Sequence, residues 1–178
     1  MLLACRGGQL SVCEWLFRAG AADDIRALNR NHHTCMLEAC GSGHLELAQW
    51  LYERGAADHI RRPMNMGCTP MIMACVEGHL SVMQWLYEVG AAADVTTADI
   101  TGSTPMMTAC ANGHLSVCEW LLSVSSADEL CRLDDDGEGP FRVRFNEKVC
   151  DSTTMTILTP IDCAALSVVL CLLFLFVA

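Results

Sequence analysis

One pattern of apolar and polar positions runs four times through the chain. It is clearest in residues 104–122, TPMMTACANGHLSVCEWLL, and recurs in 69–87, TPMIMACVEGHLSVMQWLY, and 34–52, TCMLEACGSGHLELAQWLY. Residues 1–17, MLLACRGGQLSVCEWLF, enter the same pattern part-way through. Trp15, Trp50, Trp85 and Trp120 fall 35 residues apart, as do Cys5, Cys40, Cys75 and Cys110, and Gly8, Gly43, Gly78 and Gly113. A fixed period of this length means stacked supersecondary units sharing a continuous core, not one globular centre.

Each unit predicts two short helices. Thr69 can cap orphan backbone N–H groups, and Pro70 suits the first helical position, where its missing N–H costs nothing. Thr104-Pro105 repeats this pair, and Thr34-Cys35 lacks the proline. The first helix runs from Met71 towards Val76 and ends at Gly78, the left-handed residue that stops it. The second runs from about Leu80 to Tyr87. Leu80, Val82, Met83, Trp85 and Leu86 cover most of its circumference, as a helix packed on two sides requires. Gly20, Gly55 and Gly90 end the second helices. An Ala-rich link, Ala91-Ala92-Ala93, then leads to an extended segment and the turn Asp99-Ile100-Thr101-Gly102. His32 stands where later units have Gly67, Gly102 and Gly137, and would be mildly strained at positive φ. Helices of about eight residues are too short to stand alone, so stacking must stabilise them. A tryptophan sandwiched between repeats buries roughly 150–250 Å². Four in register would form a ladder, and Trp85→Ala would cost about 3–5 kcal/mol.

These residues resemble ankyrin repeats, whose pattern is D-x-x-G-x-T-P-L-H-x-A-A-x-x-G-H-L-x-V-x-x-L-L-x-x-G-A. Here it stands as Asp99, Gly102, Thr104-Pro105, Ala109-Cys110, Gly113-His114-Leu115, Val117 and Trp120-Leu121. The likeness covers residue 1 to about 141. It departs from the family in its 35-residue period, against the usual 33. Leu37, Ile72 and Met107 replace the TPLH histidine, and a tryptophan stands for the first leucine of the second helix. The resemblance implies an all-α, ankyrin-like helix–turn–helix solenoid with short turn or hairpin tips. The array would span 1–141, its first unit truncated. An irregular insertion, 142–158, and a degenerate repeat or apolar helix, 159–178, would follow.

The resemblance also implies a non-enzymatic module that binds a partner protein, with contacts from the tips and from the two residues before each G-H pair. Carried onto this chain, those are Arg30, Asn31 and His33; Gly41 and Ser42; Asn65, Met66 and Cys68; Val76 and Glu77; Ile100, Thr101 and Ser103; and Ala111 and Asn112. Asp135, Asp136 and Glu138 continue the line. Residues that need not pack between repeats form an extended concave surface. Their identities vary among units while the packing positions stay fixed. The expected groove has an Arg/Asn end, a Met-lined middle and an acidic end, on a monomer without cofactor.

Charge sharpens the picture. The net charge is −10. Residues 1–70 hold seven basic and seven acidic side chains, leaving four and fourteen of the 11 and 21 for residues 71–178. Phosphate binding needs clustered Lys and Arg, so nucleic acid is rejected as the main partner. With 52% apolar residues the chain can bury a substantial core. Met1 aligns with Met36, Met71 and Met106, inside a first helix; the expectation is either a fragment of a longer array or a damaged first unit. MLLAC breaks at Arg6, too short for a signal peptide. Ala164–Ala178 has only Ser167 as a polar residue. As a helix it would span about 22 Å, short of the roughly 30 Å hydrocarbon core. A buried final helix is favoured, with a tail-anchored membrane adaptor as the alternative.

The candidate chemistry is sparse. Of 12 cysteines, Cys5, Cys40, Cys75 and Cys110 share one register. Packed helices lie about 8–10 Å apart, too far for a disulfide and without the convergence zinc needs. Buried thiols are the expectation, and with them a reducing compartment, the cytoplasm. Cys35 and Cys68 are the cysteines expected at the surface. His44, His79 and His114 form an equivalent row, for which structural hydrogen bonds are expected. Asp134–Glu138 fails as a calcium loop, because Arg132 and Val143 stand where acids are required. Met64 and Met66 lie in a turn; core or incidental packing is the favoured reading there, with an adaptable apolar surface for a partner as the alternative. No phosphate loop, nucleophile elbow or metalloprotease motif occurs. Catalytic and metal-ligating residues are therefore assigned to none.

Overall fold

The computed structural model describes residues 1–126, 129, 132–137 and 139. Four helix pairs follow one another: α1 (Leu2–Arg6) with α2 (Leu10–Arg18), α3 (Cys35–Gly41) with α4 (Leu45–Leu51), α5 (Pro70–Val76) with α6 (Leu80–Leu86), and α7 (Pro105–Asn112) with α8 (Leu115–Val124). The helix starts are where the sequence puts them. Leu37 N–H donates to Thr34 Oγ1 at 3.0 Å, Ile72 to Thr69 at 3.4 Å and Met107 to Thr104 at 3.3 Å. Each threonine satisfies one of the orphan donors of its helix. The link after the second helix differs from expectation. It coils through wide turns, Tyr52–Ala56 and Tyr87–Ala91, and then through tight helical turns, Ala57–His59 and Ala92–Val95, before the chain extends.

The core is continuous along the stack and includes Cys5, Met36, Leu51, Met71, Met83, Met106 and Leu121. The residues replacing the TPLH histidine, Leu37, Ile72 and Met107, are buried. First helices pack against one another more closely than second helices do.

Three contacts repeat between neighbouring units. The first joins the histidine of one G-H pair to the glycine of the unit before it. His44 Nε2–H donates to the Arg6 carbonyl at 3.1 Å, and His114 Nε2–H to the Val76 carbonyl at 2.9 Å. A Cβ on Gly8, Gly43 or Gly78 would lie 2.5–2.6 Å from the next unit's imidazole, and each of these glycines has positive φ. The glycine therefore serves the turn and the ring's close approach together. The second contact is aromatic. Phe17–Trp50, Tyr52–Trp85 and Tyr87–Trp120 meet edge-to-face with centroids 5.7, 5.9 and 5.7 Å apart. The third, between tips, belongs to the candidate site.

The tryptophans do not form the sandwiched ladder expected. Each rung is a tryptophan on a phenylalanine or tyrosine of the preceding unit, because the ring lies on the more widely spaced outer layer. Trp50 is 9% exposed, Trp85 and Trp120 are half-buried, and Trp15 is 66% exposed. Cys35 is also not at the surface. It takes the first helical position, where Pro70 and Pro105 are likewise buried, and its Sγ lies 3.6 Å from the Asp24 carbonyl. Burial raises the thiol pKa of Cys40 and of Cys75, the latter to about 12, so these behave as packing groups. Cys5 and Cys13, from α1 and α2, bring their sulfurs to 3.7 Å.

Candidate surface for a protein partner

The tips are built from their own side chains. In the tip before α7, Asp99 Oδ1 accepts from the backbone N–H groups of Thr101 (2.8 Å) and Ser103 (3.1 Å). Asn29 Oδ1 does the same for Asn31 and His33, each at 2.9 Å, and Asp134 Oδ1 accepts from Asp136 N–H at 3.1 Å. Such local bonds offer the backbone an alternative to helix. Met64 stands at this register in the remaining tip. His32 holds φ 61°, the positive value anticipated for the glycine position.

Successive tips are joined through their backbones. Asn65 N–H donates to the Asn31 carbonyl at 3.2 Å, Ile100 N–H to the Met66 carbonyl at 3.2 Å and Asp135 N–H to the Thr101 carbonyl at 3.1 Å. Gly67 permits this approach, since a Cβ there would meet Ile100 N at 2.9 Å. These bonds fix the tip row to the stack. Met66 is left 48% and Ile100 58% exposed.

Below the tips, α1, α3 and α5 enclose a hollow of about 380 Å³ lined by Arg6, Glu38, Ser42, Met73, Glu77 and His79, among others. Glu38 Oε1 lies 2.6 Å from His33 Nδ1, which turns His33 into the wall rather than outward. Arg6 and Glu77, both exposed, have no ion-pair partner among the described residues.

The residues singled out from the sequence divide accordingly. Arg30, Asn31, Asn65, Met66, Ile100, Thr101, Asp135 and Asp136 are exposed on the tip row. Gly41, Ser42 and Val76 are half-buried and Glu77 exposed along the first helices, with Ala111 and Asn112 exposed at the end of α7. Thr101 and Ser103 spend their hydroxyls on the turn: Thr101 Oγ1 lies 2.7 Å from Asp99 Oδ1 and 3.1 Å from Ser103 Oγ. Cys68 is half-buried beside Asp99, and burial and that charge push its thiol pKa up, so it is not a poised nucleophile. Glu138 lies outside the described residues, as does Ala164–Ala178. Among the described residues no helix is long and apolar enough to cross a membrane, and no group of His, Cys, Asp and Glu is arranged to hold a metal ion.

Arg6 and Glu38 were not singled out, although both were legible. Arg6 shares the register of Gly41, Val76 and Ala111, one period earlier. Glu38 lies one helical turn before Ser42 and so on the same face. Comparison with known proteins completes the picture. A family model described as "Ankyrin repeats (3 copies)" matches residues 1–99, and one described as "Ankyrin repeat" matches residues 101–135. No curated protein matches the chain.

Proposed function

The chain belongs to the ankyrin-repeat family, and from that premise we propose that it is a non-enzymatic module whose concave face, tips and first-helix ends together, binds a partner protein. The observation that carries this is the contrast along the tip row. Backbone bonds hold each tip to the next, while Met66 and Ile100 keep about half of their apolar side chains exposed to solvent. Exposed apolar groups on a rigid frame lose little entropy on binding, and methionine adapts to the surface it meets. A reducing compartment is part of the proposal, supported by the thiols that serve as core packing.

The experiment is co-purification from native extract with the parent chain and with a variant carrying Met66→Glu, Glu77→Arg and Ile100→Glu, after both show equal helicity and equal melting. A partner retained by the parent and lost from the variant supports the groove. The same set retained by both removes it.

A further inference from the structure

Two rows of side chains cross the concave face, and both change sign in the same direction. On the tips, Arg30 comes first, Met66 and Ile100 follow, and Asp135 and Asp136 come last. On the first helices, Arg6 on α1 is followed by Glu38 on α3, which is paired with His33, and by Glu77 at the end of α5, with half-buried Met73 one turn before it. Apart from Glu38, none of these charged side chains has an ion-pair partner among the described residues. Two cations nearer the links are instead paired across repeats, whereas, among the described residues, Arg54 and Arg62 are not. Arg26 pairs with Asp58, and Arg61 Nε donates to Asp94 Oδ1 at 2.8 Å. Arg6, Arg30, Glu77, Asp135 and Asp136 are thus left without ion pairs among the described residues, with cations at one end of the array and acids towards the other.

We infer that the partner element is an extended segment of a protein, acidic at one end, apolar in the middle and basic at the other, laid across the repeats with its acidic end over Arg6 and Arg30. This rests on the concave-groove reading. Opposed charges at two ends fix the direction in which a segment lies, and like-charge contact penalises the reverse placement. Neighbouring packed helices are about 8–10 Å apart, so three steps from Arg30 to Asp135 span roughly 25–30 Å. An extended chain rising about 3.3 Å per residue covers that with eight or nine residues. The hollow between α1, α3 and α5 would take one side chain of the segment, with Glu77 at its far side.

The test pans a random dodecapeptide display library on the full chain and measures the recovered peptides by fluorescence polarisation. The expected peptides carry an acidic and a basic group separated by apolar residues. Reversing Arg6 and Arg30 to Glu, or Asp135 and Asp136 to Lys, should each weaken the best peptide by about tenfold or more, and salt should weaken it further. Peptides that bind the Met66→Glu, Ile100→Glu variant as well as the parent would remove the groove reading and this inference with it. Peptides lost on that variant but indifferent to both charge reversals leave the groove standing and overturn the charge order. Recovery of no peptide overturns the linear-segment partner.

Discussion

Trp50 is buried with Phe17 edge-on against it, whereas Trp15, at the same register, stands mostly in solvent. The two should therefore differ sharply in energy. Trp50→Ala removes a buried ring and should cost about 3–5 kcal/mol. Trp15→Ala should stay within about 0.5 kcal/mol, as surface changes do. Urea unfolding of both variants checks this, and equal losses would contradict the observed packing. Trp85, only half-buried, should fall between them. His59 offers a second residue-scale prediction. Burial lowers its pKa, reinforced by Arg62 and Arg26 and opposed by Asp58. An unfolded histidine titrates near 6.5, so the unfolded chain takes its proton first as pH falls. The contribution of His59 to stability is thus complete above that value and is lost progressively below it. Between about pH 7.5 and about pH 5.5 the melting point of His59→Gln should fall less than that of the parent; an equal fall would refute the assignment. Asp94, its pKa raised by burial against the lowering pull of Arg61, has the opposite sign and gains as pH falls.

At the scale of the element, helix boundaries were legible because local rules govern them. Thr34, Thr69 and Thr104 cap where a threonine before an apolar run should, and the G-H pairs end one helix and open the next. The contacts between elements were less legible, because they depend on how far one repeat is offset from the next. That Gly78 must admit the ring of His114 follows only once the two units are stacked. The same holds for Cys35, whose burial comes from the unit before it, and for the tip-to-tip bonds. The Gly78–His114 contact can be isolated by a double-mutant cycle. Gly78→Ala adds a Cβ at φ 77° and drives it into the imidazole, at a cost of about 1–3 kcal/mol. In a His114→Ala background the clash disappears and only the backbone strain remains, so the increment should shrink. Additive losses would show that the ring is not what Gly78 accommodates.

Over the whole molecule, the stack converts a repeated core into a surface that need not repeat. Leu37, Ile72 and Met107 occupy one register and are all buried, while Arg30, Asn65, Ile100 and Asp135 occupy another and differ in charge and polarity from unit to unit. Stability belongs to the first set. Recognition, on this account, belongs to the second, which is why the fold could be read from periodicity while a partner could not. The most direct test of that division is the co-purification of a partner with the parent chain and with the Met66→Glu, Glu77→Arg, Ile100→Glu variant, alongside their unfolding curves. The account predicts an unchanged unfolding midpoint and loss of a specific partner. A variant that keeps every partner, or that loses them only because it has unfolded, would contradict it.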